Sequence, residues 1–174
     1  LEAGESGAGH SEAILSLVDA ALVRGETSLS ECDAVAFGAG PGAFTGLRVA
    51  CGVAQGLAWA KEKKVLPVGN LEALALQVLE GESAGTRVLV CLDARMHQSY
   101  CAVYEKGAEG EEPLEVEAPR LANPGDLPVL AREKNVQVAV GSAIGAFPEA
   151  FVELASVKQL PSAAVTAEDI ARLA

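Results

Sequence analysis

The amino-acid sequence predicts a soluble α/β protein made of two related lobes. Half of its 174 residues are apolar, which suffices for a sizeable core. Short β-rich runs alternate with stretches of helical periodicity, in the order α-β-α-β-α over 1–86 and β-β-β-α-β-α-β-α over 87–174. The first order equals the second without its three opening strands. We therefore expect a duplicated unit, with a truncated, helix-rich N-terminal lobe over 1–86 and a second lobe over 87–174.

The N-terminal lobe is predicted to alternate helices with short strands. Ile14, Val18 and Leu22 recur at helical spacing, so the first helix has one broad apolar face. Asn70 precedes the third helix and is expected to cap it, because an Asn side chain accepts a hydrogen bond from a free backbone N–H. The predicted helices run over 10–24, 45–60 and 71–80, and the predicted strands over 33–38 and 65–69.

The second lobe is predicted to open with three strands and to continue with alternating helices and strands. The polar stretch ARMHQ separates the first two strands and indicates a hairpin. Asn123 with Pro124, and later Thr166, are typical of helix starts. The predicted strands cover 87–93, 99–105, 113–117, 136–141 and the vicinity of Val157, and the predicted helices follow Asn123, cover 144–154 and follow Thr166.

The stretch GAGPGAFTGLR over 38–48 joins a predicted strand to the second helix and has the composition of a phosphate-binding loop. It lacks the Lys of the G-x-x-x-x-G-K-[ST] pattern, and Ala43 breaks the G-x-G-x-x-G pattern. Two interpretations stay open: a nucleotide-binding loop, or a tight turn packed against a neighbouring lobe. The residues concerned are Gly38, Gly40, Gly42, Thr45 and Arg48.

Arg48 is predicted to lie in the first turn of the second helix, where the helix dipole disfavours a cation. We therefore expect a carboxylate or another anion beside its guanidinium group. An intrachain salt bridge is the simpler arrangement, and a bound phosphate is the alternative.

After Leu47 the second helix carries only two clearly polar side chains, Arg48 and Gln55, so neighbours are expected on every face. Gly52 and Gly56 each cost about 1 kcal/mol relative to Ala inside a helix, and close approach of another backbone would explain that cost. The neighbour is either the first helix or the sheet of the same chain, or another chain. The predicted partner stripe comprises Gly46, Val49, Gly52, Val53 and Gly56, with Ile14 and Val18 of the first helix beside it.

Charge and cysteine content exclude several classes of protein. With 13 Lys and Arg against 24 Asp and Glu, the formal net charge is −11, which opposes direct binding of nucleic acid. The four cysteines form no C-x-x-C pair and lie in apolar runs, as expected for reduced core residues of a cytoplasmic protein. The longest apolar run is too short to span a membrane, and no targeting segment is visible.

No set of residues has the spacing of a catalytic or metal site, and neither a metal nor a cofactor is predicted. His10 and His97 lie in different predicted lobes and form no H-x-x-x-H pair, so each is expected to be a surface or capping residue. Asp93 is a candidate base for a phosphotransferase, and an ion pair with Arg95 in the hairpin is its simpler role. A sugar-kinase-like phosphotransferase and a peptidase remain as alternatives to a non-catalytic binding subunit.

GAGPGAFTGLR resembles the G-x-G-P-G-x-F-T-G-x-R signature of the TsaB (YeaZ) family of bacterial tRNA-modification proteins. HSE over 10–12, AQGLAWA over 54–60 and LDARMHQSYCAVY over 92–104 are similar to further segments of that family, so the resemblance covers nearly the whole chain. It implies a duplicated actin-like, Hsp70-like fold. Compared with the family pattern, the sequence lacks the opening strands with their D-T-S/T segment and the final segment with its Y-L-R ending, and we expect chain ends that are either truncated or unobserved.

The resemblance also implies a subunit without catalysis of its own. TsaB-type proteins pair with the paralogous transferase TsaD, which carries the metal and transfers a threonylcarbamoyl group to a tRNA adenosine, and the ATPase TsaE joins them. The pairing uses the first two helices, and TsaB can pair with itself through a similar surface. We therefore expect the partner stripe to lie at an interface, in a heterodimer or in a homodimer.

Overall fold

Residues 10–174 form two β-sheets with helices packed against them. The computed structural model describes residues 10–174, with side chains described from residue 13 onward. The N-terminal elements are α1 (His10–Arg24), β1 (Ala34–Gly40), α2 (Phe44–Ala60), β2 (Lys64–Gly69) and α3 (Asn70–Leu79). The elements that follow are β3 (Arg87–Arg95), β4 (Gln98–Glu105), β5 (Leu114–Ala122), α4 (Leu127–Glu133), β6 (Val138–Val140), α5 (Ala143–Ala146), α6 (Pro148–Val152), β7 (Lys158–Leu160) and α7 (Ala167–Arg172).

The two sheets differ in size and in strand direction. β1 and β2 pair in parallel, and five strands in the order β5-β4-β3-β6-β7 form the larger sheet. β3 pairs antiparallel with β4 and parallel with β6. α3 connects the sheets, because it packs against β1 and β2 as well as against β3 and β4. The mixed α/β class expected from the sequence is confirmed, and the lobe boundary at 86/87 stays a prediction.

The core lies on both faces of the larger sheet. On one face, Leu71 and Leu74 of α3 are buried in a cluster with Val88 and Val90 of β3. The other face is covered by α4, α5 and α6, in a cluster that includes Leu89, Val103, Leu127, Phe147 and Phe151. Successive residues of β3 thus point to opposite apolar faces, as a central strand requires.

Most predicted elements are confirmed within a few residues, and three local predictions are wrong. The helix expected over 144–154 is divided into α5 and α6, because Pro148 has no N–H with which to continue a helix. β5 continues to Ala122, beyond its expected end, because it stays paired with β4. Asn70 does not cap α3: Gly69 holds the N-cap position without a side-chain hydrogen bond, and Asn70 is the first residue of the helix.

Burial around β1 is lower than the sequence suggests. The strand is half-buried along most of its length, because β2 alone pairs with it among the strands of residues 10–174. Cys91 and Cys101 are buried in the larger sheet as expected, whereas Cys32 and Cys51 are only half-buried in the more open N-terminal part. All four are free thiols. In the described part of the chain, no helix combines the length and the hydropathy needed to cross a membrane.

Candidate functional site

α2 is covered on one face and open on the other. It packs on β1 and β2, and its fully buried side chains are those of Ala54 and Ala58. The residues of the partner stripe lie elsewhere on the helix: Val49 and Val53 are half-buried, and Gly46, Gly52 and Gly56 are exposed. Of the two sources of neighbours left open by the sequence, the described part of this chain supplies only one side, since the sheet and α1 cover only part of the helix.

The glycines of the partner stripe open onto free space. A Cβ built on Gly52 or Gly56 meets no heavy atom within 4 Å among the described residues, and one built on Gly46 meets the Cβ of Ala43 at 3.9 Å. Close contact with α1 or with the sheet therefore does not explain these glycines. Ile14 and Val18 are half-buried on α1, which packs against α2. Among the described residues, nothing prevents a second backbone from approaching α2 along Gly46, Gly52 and Gly56.

Large apolar side chains extend this open surface beyond the predicted stripe. Phe44, the first residue of α2, is 67% exposed, and Trp59, in the last turn, is 87% exposed. Sequence reasoning missed both, although Trp59 follows Gly52 by seven residues and so shares its face at ~100° per residue. On α1, the large apolar residues Leu15, Leu17 and Val23 are also exposed. We refer to the partner stripe together with Phe44 and Trp59 as the docking face.

Arg48 stacks on an aromatic ring instead of pairing with a carboxylate. Its guanidinium carbon lies 3.5 Å from the centroid of the Phe44 ring, four residues earlier on α2. Within the described residues, no carboxylate forms an ion pair with it. The expected intrachain salt bridge is not formed among residues 13–174, because the first turn of α2 contains no acidic residue and Phe44 supplies a ring face at helical spacing.

The glycine-rich loop is folded closely around two side chains. Asn70 Nδ2 donates a hydrogen bond to the Pro41 carbonyl oxygen at 3.1 Å, and a Cβ on Gly38 would overlap Asn70 Oδ1. The second side chain is that of Leu47, whose Cδ1 lies 3.1 Å from the position of a Cβ on Gly40. Gly40 has a φ of +110°, which residues with side chains rarely adopt. Packing within the chain therefore explains these glycines.

The surroundings of the loop offer little to a phosphate group. Thr45 is exposed in the first turn of α2, and the guanidinium group of Arg48 already lies on Phe44. A groove of about 630 Å³ beside β1 is lined mostly by alanine, and its lining includes the carboxylate of Asp33. A negative charge there repels phosphate oxygens.

ATP is expected not to bind at the glycine-rich loop, because the carboxamide of Asn70 occupies the space that the loop encloses. The measurement is a titration of the isotopically labelled chain with millimolar ATP, followed through the backbone amide signals of residues 40–46. These signals should not move. Saturable shifts confined to those residues would establish a nucleotide site instead.

Residues 13–174 contain no arrangement suited to metal catalysis. No group of three His, Cys, Asp or Glu side chains in that range is placed to hold a metal ion. Asp93 Oδ2 lies 3.4 Å from Arg95 Nη1, and Asp93 Oδ1 accepts a hydrogen bond from the Arg95 N–H, which confirms the predicted ion pair. His97 is exposed, and its ring packs edge-on against Phe147. The prediction for the His10 side chain lies outside the described residues.

Comparisons with known proteins point to one family. The family model described as TsaD, tRNA N6-adenosine threonylcarbamoyltransferase, matches residues 5–120, which run from α1 into β5. The tRNA threonylcarbamoyladenosine biosynthesis protein TsaB of Haemophilus influenzae is 43% identical over 91 residues, which make up 52% of this chain and 38% of that protein. TsaB of Escherichia coli is 41% identical over 101 residues, 58% of this chain and 43% of that protein.

A solved structure extends the similarity to almost the whole chain. It is the crystal structure of an uncharacterized Pseudomonas aeruginosa protein with similarity to peptidase YeaZ. The two share a TM-score of 0.79 at 32% identity, over 94% of this chain and 74% of the other. The chain belongs to the TsaB/YeaZ family. It spans less than half of the length of the two TsaB relatives, and the docking face lies within the part that matches the TsaD model.

Proposed function

We propose that the chain is a non-catalytic partner subunit in the biosynthesis of threonylcarbamoyladenosine in tRNA, in the cytoplasm. Its partner is a TsaD-type threonylcarbamoyltransferase that binds the docking face, and a TsaE-type ATPase joins the pair. The open, glycine-lined side of α2 carries this proposal. Membership of the TsaB/YeaZ family supplies the pathway.

The composition of the docking face favours burial against another protein. Monomeric proteins rarely leave large contiguous apolar patches in water, and the centres of interfaces are enriched in aromatic residues. Phe44 and Trp59 stand at opposite ends of α2, separated by about 22 Å at ~1.5 Å per residue. The exposed glycines lie between them and let a second helix approach closely. This surface therefore fits a partner helix that lies along α2.

A TsaD-type protein fits this surface because it carries related elements. The TsaD family model matches residues 5–120, which include α1 and α2. Two proteins with related helix pairs can pack face to face about a pseudo-twofold axis, with each helix against the small residues of the other. The same geometry applies to a second copy of this chain. A homodimer through the docking face is thus the competing state.

The duplicated actin-like, Hsp70-like arrangement is part of the proposal. The larger sheet combines an antiparallel β3-β4-β5 meander with the parallel strands β6 and β7, as expected for one complete unit. Residues 1–86 supply α1, β1, α2, β2 and α3, which correspond to the later elements of that unit. The net charge of −11 favours binding to the transferase over direct contact with tRNA.

The purified chain is expected to hydrolyse neither ATP nor peptides. Asp93 is engaged by Arg95, and burial raises the pKa of the Cys91 and Cys101 thiols, which disfavours a nucleophilic thiolate. Release of phosphate and cleavage of a peptide library should both match the buffer blank. ATP turnover that disappears in Asp93→Ala would favour a phosphotransferase, and cleavage blocked by a thiol reagent would favour a peptidase.

Capture by the transferase tests the proposed function directly. The chain is mixed with the TsaD-type protein of the same organism, and the mass of the complex is measured by light scattering during size-exclusion chromatography. We expect a one-to-one complex that replaces any homodimer. Threonylcarbamoyl transfer to tRNA by TsaD with TsaE should also increase when the chain is added. Two proteins that elute separately at micromolar concentration would refute the proposed function.

A further inference from the structure

The glycine-rich loop and the start of α3 meet at one side chain, that of Asn70. Its Nδ2 donates to the Pro41 carbonyl oxygen at 3.1 Å, across 29 positions of the chain. A Cβ on Gly38 would overlap its Oδ1, and a Cβ on Gly42 would lie 3.4 Å from its Nδ2. The loop therefore closes over the carboxamide, and the two glycines leave the room that the carboxamide needs.

Only the amide nitrogen of the Asn70 carboxamide has a hydrogen-bond partner among the described residues. Asn70 Oδ1 is buried and accepts no hydrogen bond from the described residues. An unpaired buried acceptor is destabilising, and an apolar side chain of similar size would avoid that cost. An apolar side chain would, however, lack the hydrogen bond that Asn70 Nδ2 donates to the Pro41 carbonyl oxygen. That bond ties the connection between β1 and α2 to the junction between β2 and α3.

The hydrogen bond between Asn70 and Pro41 lies close to the start of α2. Pro41 lies three residues before Phe44, the first residue of the helix. The N-cap residue Ala43 makes no side-chain capping bond, so a cap does not fix the helix start. Leu47, one turn into α2, packs against the same loop, and at Gly42 it lies close to the loop together with Asn70. The loop is thus contacted both by the first residue of α3 and by the first turns of α2.

We propose that Asn70 is a positioning residue for the docking face: by holding Pro41 it fixes the first turn of α2, and with it Phe44 and the Arg48 guanidinium stacked on it. The inference rests on the proposed function for the identity of the partner. The positioning is a property of this chain alone. Asn70 acts through the loop, because it contacts Pro41, Gly38 and Gly42 and lies on a different element from the docking face.

A double-mutant cycle between Gly38 and Asn70 tests the packing. Gly38→Ala alone places a methyl group on Asn70 Oδ1, and it should lower the thermal midpoint by several degrees. In the Asn70→Ala background the overlap is removed, because the remaining neighbour is Ile170 Cδ1 at an ordinary 3.6 Å. The loss caused by Gly38→Ala should therefore vanish in the double variant. If the two single-variant losses of thermal midpoint simply add in the double variant, Gly38 and Asn70 are not in contact and that packing is overturned.

Hydrogen exchange and partner capture test the positioning. Asn70→Ala, and Asn70→Asp, which replaces the Nδ2 donor with an acceptor, should raise amide exchange rates over residues 44–48 by about tenfold. Both should weaken capture of the TsaD-type protein by about tenfold. Val103→Ala is the control, because it truncates a buried side chain of β4 on the face of the larger sheet that α3 does not cover, and lowers overall stability away from the loop. It should leave capture and the exchange at 44–48 unchanged.

Three outcomes decide between the possibilities. Unchanged exchange over 44–48 in Asn70→Ala overturns the inference, whatever the partner does. Equal losses of capture in Asn70→Ala and Val103→Ala reduce Asn70 to a general stability role and also overturn it. If the wild-type chain captures no TsaD-type protein, the proposed function fails, and the double-mutant cycle with the exchange data still decides the role of Asn70.

Discussion

Glutamine in place of Gly52 is expected to stabilise the folded chain and to weaken its binding to the partner. A Cβ at this position meets no heavy atom within 4 Å in the described part of the chain, so the monomer accommodates the new side chain. Replacement of a glycine inside a helix should stabilise the fold by about 1 kcal/mol. In the complex, the glutamine would occupy the space where two backbones approach each other. We expect the dissociation constant for the TsaD-type partner to rise at least about 100-fold.

The opposite signs of the two effects separate this interpretation from simple damage to the fold. The thermal midpoint, measured by circular dichroism, should rise by ~2–4 °C while capture falls. Gly145→Gln is the matched control, because Gly145 is an exposed helical glycine of α5 that likewise meets nothing within 4 Å. It should bind the partner like the wild type. If Gly52→Gln also binds the TsaD-type partner like the wild type, the exposed glycines of α2 do not lie at an interface.

The helices and strands are predictable because each has a local cause in the sequence. α1 follows from the spacing of Ile14 and Val18, and α7 follows its N-cap Thr166, whose side chain accepts a hydrogen bond from the Asp169 N–H. The break between α5 and α6 also has a local cause, Pro148, which the sequence-based helix over 144–154 ignores.

The orientation of α2 depends on tertiary packing and is not encoded in its own residues. After Leu47 its side chains are apolar apart from Arg48 and Gln55, so the sequence alone does not separate the buried Ala54 and Ala58 from the exposed glycines. Packing on β1 and β2 decides that Ala54 and Ala58 are buried and that Gly52 and Gly56 are exposed. The sequence therefore predicts that the glycines need a neighbour, and only the structure shows that the described chain does not supply it.

The contacts that shape the glycine-rich loop are equally hidden from local reasoning. Asn70 precedes an apolar helical stretch, so capping is the local expectation, but its Nδ2 bonds to Pro41 in a distant part of the chain. Gly38 leaves room for that same side chain, although nothing in the surrounding residues indicates this. For Arg48, the helix dipole predicts an anion, whereas the nearby Phe44 ring provides the contact.

Alanine in place of Gly141 is expected to destabilise the larger sheet severely. Gly141 directly follows β6, is buried and has a φ of +118°, at which a side chain is strained. A Cβ there would overlap the backbone carbonyl oxygen of Cys91 and lie 3.1 Å from Leu92 Cδ2. Cys91 belongs to β3, which is paired on both sides by β4 and β6, so its backbone cannot move aside cheaply. Strain and overlap together should cost about 4 kcal/mol.

A loss of that size is a large fraction of the roughly 5–15 kcal/mol that stabilises a folded domain. The thermal midpoint should fall by ~8–16 °C. Because Leu71 and Leu74 of α3 are buried against the same sheet, the N-terminal elements lose support as well, and partner capture should fall together with the midpoint. Gly145→Ala, with open space around its Cβ, should leave the midpoint unchanged or slightly raised. A Gly141→Ala chain that melts like the wild type would mean that β6 can move away from β3 without loss, contrary to its central place in the sheet.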